Sequence, residues 1–117
     1  MKVLVVDDES GIRNLLVSLL EDEGYEVVAA GDGASAIRLA EQHRPGLILL
    51  DLMLPGMEGR EVHRRLRELE GMARAPIVFM SAARHLRPEG DAHTSFVAKP
   101  FDLDRLLDHI SQRLAAA

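Results

Sequence analysis

Four apolar runs along the chain, KVLVV, GLILL, PIVFM and SFVA, each end on polar chemistry: Asp7 and Asp8, Asp51, Ser81 and Lys99 respectively. Between them the spacing changes to that of amphipathic helices. Ser10 can cap a helix whose apolar residues are Ile12, Leu15, Leu16, Leu19 and Leu20, and Gly24 ends it. Tyr25 to Ala30 reads as a further strand, Asp32-Gly33 as a turn, and Ala34 to His43 as a helix with Ala36, Ile37 and Ala40 inward. Arg44-Pro45-Gly46 stops that helix. Gly46 to Leu50 is apolar throughout, the pattern of a parallel strand covered on both faces. After the loop LMLPGMEG, Val62, Leu66 and Leu69 mark a third helix. Its Arg60, Arg64, Arg65 and Arg67 are expected mostly outward, with Glu61 able to pair with Arg65. Pro76 to Met80 reads as another buried strand, and a final helix starts at the cap Asp102 and runs through Leu103, Leu106, Leu107, Ile110 and Leu114.

Five strands alternating with helices require right-handed crossovers and helices on both sides of a parallel sheet. The expected fold is a doubly wound α/β domain with strand order 2-1-3-4-5, which sets the first and third strands side by side at the switch point. In that arrangement Asp7, Asp8 and Asp51 converge, and Ser81 and Lys99 reach the same sheet edge. Three carboxylates in one pocket raise each other's pKa unless a cation shares the space, and a hard divalent ion such as Mg2+ suits oxygen ligands. Beside a metal, Asp51 can act as a ligand only or as a nucleophile toward phosphorus. Lys99 and Ser81 favour the second role, because an ammonium and a hydroxyl suit phosphoryl oxygens and neither is needed to hold the metal.

Composition narrows the remaining possibilities. A chain of 117 residues, 47% of them hydrophobic, suits one domain with a substantial core and leaves little room for a second. The absence of cysteine excludes disulfides and thiolate metal sites, and the first residues lack the apolar stretch of a secretory signal, so a cytoplasmic protein without membrane insertion is expected. A formal charge of −5 argues against direct nucleic-acid binding. The five histidines, His43, His63, His85, His93 and His109, have no ligand spacing and read as surface residues; Met53 and Met57 read as loop packing.

The segments VVDDE, LLDLMLPGMEG, MSA and FVAKPF, in this order and spacing, resemble the receiver domain of two-component response regulators over essentially the whole chain. The resemblance implies a flavodoxin-like fold, with Asp51 as phosphoacceptor, Asp8 as a direct magnesium ligand, Asp7 as a water-mediated partner and the Met53 carbonyl as a further ligand. It makes Ser81 the switch hydroxyl, Phe96 the switch aromatic and Lys99 the phosphate-binding lysine. Pro55 and Gly59 match the loop after the acceptor, Ala82 the small residue beside the phosphoryl site, and Lys99-Pro100 a cis peptide. The implied partners are a sensor histidine kinase or a histidine phosphotransfer protein, and a downstream protein target.

The chain departs from the pattern between Ser81 and Lys99, which is shorter than usual by about one helical turn. Its segment ARHLRPEGDAHT holds Pro88 and Gly90 and lacks an apolar stripe. A shortened or disordered fourth helix over residues 84–94 is expected. The leading reading is a single receiver domain over residues 1–117, without an output domain, that takes a phosphoryl group from a phosphohistidine. It promotes its own phosphorylation and dephosphorylation rather than turning over a substrate. A phosphorylation-independent interaction module is the alternative, and a magnesium-dependent phosphohydrolase ranks third because no second acid or base accompanies the site.

Overall fold

The structure is a computed structural model that describes residues 1–82 and 91–116. Its strands are β1 (Lys2–Val6), β2 (Glu26–Ala30), β3 (Leu47–Asp51), β4 (Ile77–Ser81) and β5 (Thr94–Ala98). Its helices are α1 (Ser10–Asp22), α2 (Gly33–His43), α3 (Gly59–Glu68) and α4 (Leu103–Ala116). All strand pairings are parallel, and the sheet order is β2-β1-β3-β4-β5. The expected topology is therefore the observed one. The expected fourth helix between β4 and β5 falls largely on residues 83–90, which lie outside the described residues.

Alternation of side chains along each strand divides the core into two layers. Leu4, Val6, Ile48, Leu50, Ile77 and Phe79 pack under Ala36 and Ala40 of α2 and Val62 and Leu66 of α3. Val3, Val5, Leu47, Leu49, Val78 and Met80 pack under Leu16 and Leu20 of α1 and Leu106 and Ile110 of α4. Two-sided burial explains why the central strands are uninterrupted apolar sequences. The helices also approach each other closely: a Cβ on Gly33 would lie 2.7 Å from Val62 Cγ2, so glycine lets α2 meet α3.

Local details differ from the sequence reading. The N-cap of α1 is Glu9, with no side-chain cap bond, and Ser10 is the first helical residue, so Ser10 does not cap. Leu15 faces outward at 49% exposure. In α2 the cap is Asp32, whose Oδ1 accepts from the Ser35 N–H at 2.7 Å. Asp102 caps α4 as expected, accepting from the amides of Asp104 and Arg105. Asp51 and Ser81 are the last residues of their strands rather than the first after them.

Arg67 is not outward. Its side chain is 13% exposed, and the guanidinium spans three segments: it bonds Asp91 through Nε at 2.7 Å and the carbonyls of Met72 and Ala75 at 3.0 and 2.6 Å. This bidentate-capable fork ties the end of α3 to the entries of β4 and β5. His63 is not a surface residue either. Its ring is tilted against Phe79 with centroids 5.4 Å apart, and Nε2 lies 2.9 Å from Thr94 Oγ1. His109 is half-buried and meets Ser95 Oγ at 2.8 Å.

Candidate phosphoacceptor site

The site is built where β1 and β3 end next to each other. Val6 pairs with Leu50 in register, so the chain leaves the two strands at the same level and sets Asp7 and Asp51 against one another. The following turn carries Asp8 to the surface. One carboxylate oxygen from each of Asp7, Asp8 and Asp51 lies within 4.8 Å of the others. Lys99 reaches in from the end of β5, and the Lys99-Pro100 peptide is cis, as the resemblance implied.

Each acid has a different environment. Asp7 is fully buried and its polar atoms are all engaged: the backbone N–H donates to Ala30 O at 3.1 Å, and the carbonyl accepts from Arg13 at 2.8 Å. Its Oδ1 accepts from the Glu9 N–H at 3.0 Å and its Oδ2 from Lys99 Nζ at 2.8 Å. A carboxylate held this way is pinned at both oxygens by protein donors. Asp8 is exposed and turned to solvent. Asp51 is 5% exposed; its Oδ1 accepts from the Met53 N–H at 3.1 Å, and its Oδ2 lies 3.5 Å from Lys99 Nζ.

The electrostatics follow from that geometry. Burial pushes the Asp51 carboxyl up to about 6, with Asp7 and Asp8 adding to the rise and the Met53 amide and Lys99 opposing it. Burial alone would lower Lys99, but the hydrogen bond to Asp7 and the attraction of Asp51 outweigh it and hold the ammonium above its usual range. A nearby cation would favour the ionised form of an acid raised by burial and by like charge. Three hard oxygen donors in this spacing, one of them open to solvent, fit a magnesium ion that keeps several waters.

Ser81 is 1% exposed at the end of β4, and its carbonyl accepts the Lys99 N–H at 2.8 Å, which fixes the lysine backbone beside the acids. Ala82, the next residue in the chain, is exposed. Phe96 is opposite Phe79 in register, half-buried against the α2/α3 core layer. Strand alternation sets Ser81 and Phe96 on the same face of the sheet. Gly59 has a steric reason: a Cβ there would lie 2.7 Å from Leu52 Cα and 2.8 Å from Leu52 O. The Gly59 N–H donates to that same carbonyl at 3.0 Å, closing the loop behind Asp51. Met53 is 59% exposed, whereas Met57 packs on the core as expected. The sequence reading did not single out Arg13, whose anchoring of the Asp7 carbonyl has no motif of its own.

Comparison with known proteins agrees with the architecture. The family model for the response regulator receiver domain matches residues 3–111. Sporulation initiation phosphotransferase F of Bacillus subtilis is 37% identical, with the alignment covering 97% of this chain and 93% of that protein. The DNA-binding response regulator MtrA of Mycobacterium tuberculosis H37Rv is also 37% identical, but the chain spans only 50% of its length. Among solved structures, the receiver domain of the hybrid histidine kinase CckA superposes with a TM-score of 0.85 at 30% identity, covering 97% of this chain and 99% of that one. The receiver domain of sensor histidine kinase PA1611 from Pseudomonas aeruginosa PAO1, described with a magnesium ion in its active-site cleft, gives 0.86 at 28% identity, covering 97% of each chain. This chain belongs to the response regulator receiver domain family. It is a receiver domain of the phosphoacceptor class that serves two-component and phosphorelay signalling. No helix among the described residues is long and apolar enough to cross a membrane.

Proposed function

We propose that Asp51 is the phosphoacceptor of this receiver, taking a phosphoryl group from a phosphohistidine of a sensor kinase or histidine phosphotransfer protein. The observation that carries the reading is the setting of Asp51: buried, raised to about 6 and 3.5 Å from the Lys99 ammonium. A carboxylate oxygen of Asp51 attacks phosphorus, an O–P bond forms, and the P–N bond to the donor imidazole breaks. The imidazole carries away the electron pair and takes up a proton. Asp8, Asp51 and the Met53 carbonyl would hold Mg2+, with Asp7 reaching it through water because both of its oxygens already accept protein hydrogen bonds. The bound ion supplies charge neutralisation for the equatorial phosphoryl oxygens.

Lys99 then serves two anions in turn. In the resting chain it neutralises Asp7 and Asp51; in the phosphorylated chain its ammonium pairs with a phosphoryl oxygen. Ser81, at the end of the adjacent strand, donates its hydroxyl proton to another oxygen. Movement of that hydroxyl changes the packing available to Phe96, which has no hydroxyl and so switches by packing alone. The chain promotes its own modification and the hydrolysis that reverses it, and the altered surface changes which downstream protein it contacts.

Intact mass after incubation with acetyl phosphate and Mg2+ tests the reading. One added phosphoryl group in the wild type, and none in Asp51→Asn or in EDTA, is the expected result. No addition from acetyl phosphate or from phosphorylated kinases, with Mg2+ still bound, would replace it with a phosphorylation-independent interaction module.

A further inference from the structure

The opposite edge of the sheet carries a second polar group, Arg113 with His93. There, where β4 and β5 begin beside the last turn of α4, Pro76, Ala92, His93, Arg113 and Ala116 line a cavity of about 140 Å³. With about 30 Å³ per water, it holds four or five waters or one small polyatomic ion. Arg113 Nε is buried and has no hydrogen-bond partner among the described residues. The Arg113 and His93 side chains make no hydrogen bond or ion pair with any described residue, and the Asp91 carboxylate accepts from the His93 backbone N–H at 2.9 Å.

An arginine in the last turn of a helix usually answers the partial negative charge of the terminal carbonyls. The charge can serve that role through space, but the buried Nε–H donates to nothing among the described residues. Among the described residues, nearby groups do not supply an acceptor. Asp91 is committed to Arg67, Thr94 and the backbone N–H of His93, and the His109 ring, one turn before Arg113, is committed to Ser95. A guanidinium has donors only, so what completes it must be an acceptor, and a buried donor left unmatched loses its hydration without return. A planar fork best matches an oxyanion. The adjacent imidazole adds a further donor on the same wall.

We propose that this cavity binds a small oxyanion group, phosphate or carboxylate, held by Arg113 and His93. It lies at the end of the strands away from Asp51, so its occupancy is separate from phosphorylation.

The test is a titration of the full 15N-labelled chain, in EDTA and at constant ionic strength, with inorganic phosphate, acetate or chloride. Wild type should give saturable shifts centred on Ile77, Ala92, His93 and the Arg113 Nε–H, and Arg113→Gln should weaken binding about tenfold or more. Saturation by both phosphate and acetate assigns the site to any oxyanion; saturation by phosphate alone assigns it to a phosphoryl group. Arg113→Lys guards against loss of fold: it keeps a charge without the fork, and a well-dispersed spectrum with weakened binding supports the site. Shifts confined to Asp51, Ser81 and Lys99, shifts matched by chloride, or undiminished binding in a folded Arg113 variant would overturn it.

Discussion

Asp51 makes the resting molecule less stable than its sequence could allow. Its carboxyl is raised by burial and by two neighbouring acids to about 6. Between the ordinary carboxylate range and that value, the folded chain keeps a proton that the unfolded chain has lost. Stability therefore falls as pH rises across the window, and the loss is complete above it. Asp51→Asn removes the ionisation. In EDTA at pH 7.5 it should melt about 5 °C higher than wild type, with the gain shrinking toward zero near pH 4. Circular-dichroism melts at the two pH values check this, and equal melting at pH 7.5 would contradict the electrostatic account. Gly59 is a steric counterpart. Alanine there would force its Cβ into the Leu52 backbone, so Gly59→Ala should lower the urea-unfolding free energy by about 2 kcal/mol and slow phosphorylation by displacing the loop that carries Met53.

Between elements, the firmest polar link among the described residues away from the acidic site is the Arg67 fork. It joins α3, the approach to β4 and the turn before β5, which is an edge strand half-buried along its length. Burial raises Asp91, but the Arg67, Thr94 and His93 hydrogen bonds outweigh that and hold its carboxyl well below the usual range. The sign is the ordinary one for a depressed acid: the link stabilises at neutral pH and is lost as pH falls below about 4. Arg67→Ala should cost about 2 kcal/mol at pH 7 and speed amide exchange in Thr94–Ala98 more than in β1 or β3, while the loss narrows in acid. Hydrogen exchange read residue by residue checks the location, and uniform acceleration across the sheet would oppose it.

For the whole molecule, periodicity carried the fold because a doubly wound sheet leaves little freedom: uninterrupted apolar strands must be covered on both faces, and the acids Asp7, Asp8 and Asp51 then meet at one switch point. The same logic put Lys99 and Ser81 on that edge. What sequence could not reveal was which long side chains turn inward. Arg67 lies among Arg60, Arg64 and Arg65, which face solvent, and it folds back because the carbonyls of Met72 and Ala75 and the Asp91 carboxylate, distant in sequence, accept its donors. His63 likewise owes its burial to Phe79 and Thr94, distant in sequence. The Asp7–Lys99 bond has the widest such separation described, 92 positions. At about 5–20 residues per second, roughly 5–18 s of ribosomal synthesis pass between the appearance of that acid and of its ammonium partner. Once Asp51 has been made, the nascent chain holds the acidic cluster without the ammonium that offsets it until Lys99 follows.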